Sequence, residues 1–115
     1  MRVLVCGGRT YNNRTKLFDE LTALRRLPGL KIIIIQGGAR GADALAKEWA
    51  RLFQCEMIEE PADWSLGRAA GSIRNALMLS KHKPDLVVAF PGGRGTANMV
   101  RLANDAGVKV VRIER

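Results

Sequence analysis

The chain contains 115 residues, close to the commonest size of one folded domain, so we expect a single domain over residues 1–115. Hydrophobic residues make up 47% and charged residues 26%, a balance that is typical of soluble globular domains and excludes extensive disorder. The apolar runs, such as residues 32–35, are far shorter than the ~20 residues of a membrane-spanning helix. The first residues, MRVLVCGG, do not resemble a secretory signal, so we expect a cytoplasmic protein with no membrane partner.

The net charge and the few cysteine and histidine residues indicate which ligands and metals the protein could bind. The net charge of +8 favours polyanionic partners, either nucleic acid or phosphorylated small molecules. Cys6 and Cys55 lack Cys-x-x-Cys spacing, so we expect reduced, buried thiols rather than a disulfide or a zinc site. His82 is the only histidine, lies in a polar connection, and is expected at the surface. We therefore predict neither a metal nor a bound cofactor.

The spacing of apolar residues predicts five strands that alternate with four helices. The run at residues 31–35 is almost entirely β-branched, as in a strand that is buried on both faces. The predicted strands are residues 2–6, 31–35, 55–59, 85–90 and 108–113. The first three predicted helices are residues 14–26, 43–53 and 68–80. Pro28-Gly29 ends the first, and the third has Ile73, Leu77 and Ser80 on one face. Thr96 caps a fourth helix, which Gly107 ends.

This alternation predicts an α/β fold with right-handed βαβ crossovers. A five-stranded parallel sheet would be covered by helices on both faces, which gives a Rossmann-like three-layer αβα sandwich. The sequence does not state the strand order directly, and we predict 3-2-1-4-5. In that order the turns after strands one and four are neighbours at the point where such sheets bind ligands.

Three of the strands end in glycine-rich turns, and each turn contains one arginine. Parallel strands end at the same edge of a sheet, so the three turns should meet there. Glycine lets a ligand approach the backbone closely, the helix that follows presents free N–H groups, and an arginine fork suits a phosphate. The turns are Gly7-Gly8-Arg9, Gly37-Gly38-Ala39-Arg40-Gly41-Ala42-Asp43 and Pro91-Gly92-Gly93-Arg94-Gly95-Thr96. They predict a phosphate-binding edge, without the Walker pattern or the Gly-x-Gly-x-x-Gly of nicotinamide dehydrogenases.

The candidate ligand contacts come mainly from these turns. We expect backbone or hydroxyl donors from Gly7, Gly8, Gly38, Gly92, Gly93, Gly95 and Thr96, and neutralisation of phosphate charge by Arg9, Arg40 and Arg94. Asp43 either caps the second helix, which we favour, or turns its carboxylate into the pocket. Trp64 either stacks on a base or covers a small hydrophobic core, and Arg68 faces either the pocket or solvent.

The motifs resemble those of the SLOG superfamily. Gly37-Gly-Ala-Arg-Gly-Ala-Asp43 resembles the Ser-Gly-x-Ala-x-Gly-Ile-Asp turn of the DprA/SMF proteins. Pro91-Gly-Gly-Arg-Gly-Thr96 resembles the Pro-Gly-Gly-x-Gly-Thr signature of the LOG proteins. Arg74-Asn75 resembles the Arg-Asn of the first group and the Arg-Lys of the second. Together with Gly7-Gly8-Arg9 and Pro61-Ala-Asp-Trp64, the whole chain looks most like the small YspA-type branch.

The resemblance implies a Rossmann-like fold that binds nucleotides or nucleotide-derived ligands, and it adds Arg74 and Asn75 to the candidate site. LOG relatives hydrolyse the N-glycosidic bond of nucleoside monophosphates, and DprA relatives bind single-stranded DNA. The LOG signature continues with two glutamates where this chain has Asn98 and Met99. Neither residue can stabilise the positive charge that develops on the sugar during hydrolysis. Relatives commonly dimerise, which implies a homodimer here.

We therefore predict binding of a nucleotide or nucleotide-derived phosphorylated ligand, as in a sensor. The first alternative is a LOG-like nucleoside monophosphate phosphoribohydrolase, which the loss of the glutamate pair disfavours. The second is a DprA-like module that binds single-stranded DNA. Aromatic residues are only 5% of the chain and offer few platforms for stacked bases, which argues against this last alternative.

Overall fold

The computed structural model describes residues 1–26 and 29–114. In chain order the elements are β1 (Arg2–Cys6), α1 (Arg14–Arg25), β2 (Ile33–Gln36), α2 (Ala42–Leu52), β3 (Glu56–Glu59), a kinked 3₁₀ segment (Trp64–Ala69), α3 (Ala70–His82), β4 (Leu86–Ala89), α4 (Arg94–Asp105) and β5 (Lys109–Arg112). No helix in these two ranges is long and apolar enough to cross a membrane.

The five strands form one parallel sheet in the order β3-β2-β1-β4-β5, which confirms the predicted order. β1 lies at the centre, where Leu4 pairs with Ile35 of β2 and with Val87 of β4. All four residues of β4 are buried, whereas the edge strands β3 and β5 begin and end with exposed charged residues. This distribution is typical of edge strands, which lack a neighbouring strand on one side.

Alternate side chains of the strands build two hydrophobic cores, one on each face of the sheet. Val3 and Val5 of β1 point toward α1 and α2, in a core that contains the buried indole of Trp49. Leu4 and Cys6 point the opposite way, toward α3 and α4. The result is the predicted three-layer αβα sandwich, in which the turns that follow the strands lie at one edge.

The predicted element boundaries agree with the observed ones within two residues, except at the start of α4, where Gly93 and not Thr96 is the N-cap. α1 begins after Asn13, whose side-chain oxygen accepts a hydrogen bond from the Lys16 N–H at 3.1 Å. β2 begins at Ile33 rather than at residue 31. The stop signal that we assigned to Pro28 lies outside the described residues.

Helix α3 turns a different face toward the protein interior from the one that its apolar spacing predicts. Ile73 and Leu77 are 48% and 39% exposed, whereas Asn75 and Met78 are buried. The predicted apolar face is therefore not the buried one, because this helix carries a polar stripe as well, and the polar stripe makes inward hydrogen bonds. The Asn75 amide donates to the carbonyl oxygen of Gly95 at the start of α4.

Candidate functional site

The turns that follow β1, β2 and β4 meet at Gly8. The Gly8 N–H donates to the carbonyl oxygen of Pro91 at 2.9 Å, and the Gly8 carbonyl oxygen accepts from the N–H of Ala42 at 3.2 Å. Gly41 has a φ of 74°, and a Cβ atom there would overlap the Gly8 carbonyl oxygen. Only glycine therefore allows the β1 and β2 turns to approach this closely.

A cavity of about 680 Å³ opens at this edge of the sheet. The three turns form part of its wall, and the 3₁₀ segment and α3 form much of the rest. Its basic lining residues are Arg9, Arg68, Arg74 and Arg94. One carboxylate, that of Asp43, also lines the cavity. The cavity is therefore a basic cleft with a single acidic group, a charge distribution that suits an anionic ligand.

The turn after β2 is organised around Asp43. Its Oδ2 atom accepts hydrogen bonds from the N–H groups of Gly37 and Ala39, each at 3.2 Å. The N–H of Gly38 donates to Gln36 Oε1 at 2.6 Å. The N–H groups of Gly37, Gly38 and Ala39 are thus bonded within the protein, so the N–H of Gly38, which we predicted as a ligand donor, is already in use.

Asp43 does not cap α2, contrary to our prediction. The N-cap is Gly41, which makes no side-chain hydrogen bond, and Asp43 lies in the first turn of the helix. The predicted role fails because the carboxylate turns back to the amides of the preceding turn. The alternative that we considered, a carboxylate turned into the pocket, matches the observed position.

The environment of Asp43 combines burial with one free oxygen. The residue is only 6% exposed, and its Oδ1 atom accepts no hydrogen bond from residues 1–26 or 29–114. Burial raises the pKa of Asp43 from 3.8 to about 6. The hydrogen bond from Ala39, the positive charge of Arg74 and the hydrogen bond from Gly37 oppose that rise. At neutral pH the carboxylate is ionised and can only accept hydrogen bonds.

Arg74 and Asn75 connect α3 to the β2 turn and to α4. Arg74 donates from Nη1 to the Gly37 carbonyl oxygen at 2.6 Å and from Nε to Asn75 Oδ1 at 3.1 Å. Asn75 Nδ2 donates to the Gly95 carbonyl oxygen at 3.2 Å and to Asn98 Oδ1 at 3.0 Å. Both residues therefore shape the cavity wall as well as lining it.

Helix α4 begins at the cavity without a side-chain cap. Its N-cap is Gly93, and its first turn contains no acidic residue. Arg94, Gly95 and Thr96 all line the cavity, and the N–H groups of a first helical turn have no acceptor within the helix. These groups and the helix dipole favour an anion at this position. Thr96 is not the cap that we predicted, because Gly93 takes that position and its carbonyl oxygen accepts from Ala97 at 3.0 Å.

The structure does not bring every predicted site residue to this cavity. Arg40 is exposed and, like Gly38, lies outside the cavity lining. Gly92 lines an adjoining cavity of about 240 Å³, which shares Gly93 and Thr96 with the larger one. Gly7 and Gly8 line the larger cavity, but the N–H of Gly8 is already bonded to Pro91 and is not available to a ligand.

Sequence reasoning missed Ser72 of α3, which lines the cavity together with Arg68 and Asn75. A signal was present in the sequence. These three polar residues recur at positions i, i+4 and i+7, the spacing of one helical face. The apolar residues on this helix drew attention away from the polar stripe that lines the cavity.

Trp64 lies at the rim of the cavity. Its side chain is 58% exposed, so it does not cover a hydrophobic core. The guanidinium carbon of Arg9 lies 5.2 Å from the centroid of the indole ring, within the range of a cation–π contact. A flat aromatic surface and a cation are thus side by side at the entrance.

The sequence also led to predictions for the two cysteines and the histidine. Burial raises the pKa of the Cys6 thiol to about 12, with a further contribution from the charge of Asp43, so Cys6 is not a reactive thiolate. Cys55 is half-buried, not fully buried as we expected. His82 is also less exposed than predicted, because its Nε2 atom lies 2.9 Å from Glu60 Oε1 and its side chain is only 12% exposed.

The sheet order and the glycine turns at the carboxyl edge define a Rossmann-like α/β protein. The chain matches the YspA, cpYpsA-related SLOG family over residues 1–67, and it belongs to that family, as its motifs indicated. It is also 38% identical, over 119 aligned residues, to the gene 61 protein of Mycobacterium phage D29, an alignment that covers 96% of this chain and 94% of that protein.

A solved structure has a similar fold. UDP-GlcNAc 2-epimerase from Neisseria meningitidis, bound to UDP-GlcNAc, superimposes with a TM-score of 0.64 and 17% sequence identity. The match covers 99% of this chain but only 32% of the epimerase chain. The likeness therefore concerns the Rossmann-like fold, and this chain spans about a third of the epimerase.

Proposed function

We propose that this protein binds a nucleotide or nucleotide-derived phosphorylated ligand in the arginine-lined cavity, as a ligand-binding or sensing domain. One observation carries the proposal: four arginines and the uncapped start of α4 face one cavity of about 680 Å³. That volume lies within the range of roughly 300–1,000 Å³ that is typical of small-molecule sites.

The two helix N-termini at this edge differ in a way that supports α4 as the position of the phosphate. The first turn of α2 contains its own carboxylate, Asp43, whereas the first turn of α4 contains no acidic residue. The Arg94 side chain adds a positive charge at the start of α4. A phosphate beside Arg94, Gly95 and Thr96 would therefore meet free N–H groups and a guanidinium without a competing carboxylate.

Family membership supports the nucleotide class of ligand. The motifs of the SLOG superfamily imply nucleotide-derived ligands, and the epimerase of similar fold is described as bound to UDP-GlcNAc, itself a nucleotide derivative. The exposed ring of Trp64, beside Arg9, offers a surface on which a base can stack.

Binding is favoured over hydrolysis of an N-glycosidic bond. Asn98 lines the cavity but bonds through Oδ1 to Asn75, and Met99 is fully buried in the core. The two positions where LOG enzymes have glutamates therefore present no carboxylate to a ligand. We expect no free base to be released from nucleoside monophosphates.

Isothermal titration calorimetry tests the proposal with AMP, ADP, NAD and a thymidine oligonucleotide. The matched variants are Arg94→Gln at the cavity and Arg40→Gln outside it. We expect Arg94→Gln to weaken binding about tenfold, the value of one charge-assisted hydrogen bond, and Arg40→Gln to leave it nearly unchanged.

Correctly folded protein that binds none of these compounds would contradict the proposal. Binding of the oligonucleotide alone, weakening steeply with salt, would favour the DNA-binding alternative instead, because many counterions are then released. A mononucleotide site should have a much shallower salt dependence.

A further inference from the structure

We infer that the cavity recognises the sugar of its ligand through Asp43, whose free carboxylate oxygen accepts a hydrogen bond from a ribose hydroxyl while the phosphate lies at the start of α4. This inference rests on the proposed function and goes beyond it, because it selects ribonucleotides over other phosphorylated compounds.

The geometry of Asp43 is that of a fixed acceptor. Hydrogen bonds from Gly37 and Ala39 hold Oδ2, so the carboxylate cannot rotate freely. The side chain is only 6% exposed and lines the cavity, and Oδ1 has no donor within the described part of the chain. Oδ1 therefore stays accessible from the cavity, and a ligand donor that reaches it gains a charge-assisted hydrogen bond.

The partner of Oδ1 must be a hydrogen-bond donor. An ionised carboxylate repels a phosphate, and the pKa of Asp43, about 6, leaves the group ionised at pH 7.5. Hydroxyl groups are the donors that a nucleotide sugar carries.

The spacing of the two ends of the cavity agrees with this assignment. β1 separates β2 from β4 in the sheet, so the ends of β2 and β4 lie about 10 Å apart. Asp43 follows β2 and Arg94 follows β4. A sugar joined to one or two phosphates can span that separation.

The experiment compares ligands that differ only in the sugar. ADP and UDP are titrated against their 2′,3′-dideoxy counterparts at pH 7.5, with pyrophosphate as an anion that lacks a sugar. The proteins are the natural chain, Asp43→Asn and Asp105→Asn. Asp105 is exposed at the far end of α4, so its variant makes the same chemical change away from the cavity.

We expect removal of the hydroxyls to weaken binding about tenfold in the natural chain and in Asp105→Asn, as for one charge-assisted hydrogen bond. In Asp43→Asn the same removal should change affinity less than about twofold. The side-chain amide oxygen of that variant can still accept from the N–H groups of Gly37 and Ala39, so the turn should keep its shape.

A second measurement uses the natural chain alone, and so remains decisive if Asp43→Asn does not fold. The preference for ADP over its dideoxy form should shrink as the pH falls below about 6, when Asp43 becomes protonated. Arg74 of α3, Glu59 of β3 and Cys6 of β1 are the charged or titratable groups that face Asp43, and none of them titrates between pH 5 and 8. The two ligands carry the same phosphates, whose own titration therefore cancels.

Other results would contradict either the inference or the proposed function. Equal affinity of the ribose and dideoxy ligands for the natural chain would overturn the inference and leave the proposed function standing. A sugar preference that persists in Asp43→Asn, or that does not change with pH, would also overturn it. Failure of ADP, UDP and pyrophosphate alike to bind folded protein would remove the proposed function, and the inference with it.

Discussion

Arg74 Nη1 donates a hydrogen bond to the Gly37 carbonyl oxygen at 2.6 Å, so a side chain of α3 closes the turn that follows β2. The same guanidinium donates from Nε to Asn75. This arginine, which the SLOG resemblance assigned to the ligand, is therefore also part of the scaffold. Arg68 lines the same cavity but is exposed, so a comparison of the two arginines separates the contribution of Arg74 to the scaffold from that of a cavity-lining charge.

We expect Arg74→Ala to lower the free energy of unfolding by about 1–3 kcal/mol, because it leaves the buried amide of Asn75 and the Gly37 carbonyl without their donor. Arg68→Ala should change it by less than about 0.5 kcal/mol. Urea denaturation of both variants provides the measurement. Equal stability of the two would show that the Arg74 contacts contribute nothing to the scaffold.

Gly41 is the position where the backbone tolerates a side chain least. Gly41→Ala would place a Cβ atom on the Gly8 carbonyl oxygen and would force alanine to a φ of 74°. We expect a loss of at least about 2 kcal/mol. Gly95→Ala is the control, since a Cβ atom there meets nothing within 4 Å and the residue lies within α4.

Gly95→Ala should raise stability by up to about 1 kcal/mol, through the higher helix propensity of alanine. Thermal and urea unfolding distinguish the two substitutions. A Gly41→Ala variant as stable as the natural chain would mean that the β1 and β2 turns are not in close contact.

The stability of the protein should depend on pH through Asp43. The pKa in the folded protein, about 6, lies above the ordinary value of 3.8, so the ionised carboxylate destabilises the fold. This penalty is absent below about pH 4, grows between pH 4 and 6, and reaches about 3 kcal/mol above pH 6.

Asp43→Asn should remove that penalty. We expect the variant to gain up to about 3 kcal/mol over the natural chain at pH 8 and to gain little at pH 4. Chemical denaturation at both pH values is the check. A gain that is equal at the two pH values would exclude ionisation of Asp43 as its cause.

The orientation of α3 can be tested with two substitutions of apolar residues. Met78→Ala should cost about 2–5 kcal/mol, because Met78 is buried between the helix and the sheet. Ile73→Ser should cost less than about 1 kcal/mol, because nearly half of Ile73 is exposed. A larger loss of stability in Ile73→Ser than in Met78→Ala would instead indicate that the apolar face with Ile73 packs against the sheet.

The sequence predicted the sheet well because its signals are local and strong. The β-branched run of β2 and the glycines after β1, β2 and β4 mark where strands end, and the connection rules for parallel sheets leave few possible orders. The approach of the three turns follows from that order. None of this required knowledge of individual side-chain contacts.

The failures concern contacts between distant parts of the chain. Asp43 and Thr96 are good N-cap residues, but the N-caps of α2 and α4 are Gly41 and Gly93. At Gly41 the turn packs against the turn that follows β1. His82 looked like a surface residue because its partner, Glu60, lies on a different connection. Local propensity does not contain such long-range pairings.

The contacts of Gly8 have a mechanical consequence for the whole molecule. Through one residue, the central turn is bonded both to the start of α2 on one face of the sheet and to the turn that leads to α4 on the other. The helices on the two faces of the sheet are thus connected through Gly8 at the edge of the cavity. A change in the position of this turn would therefore alter a backbone hydrogen bond on each face of the sheet.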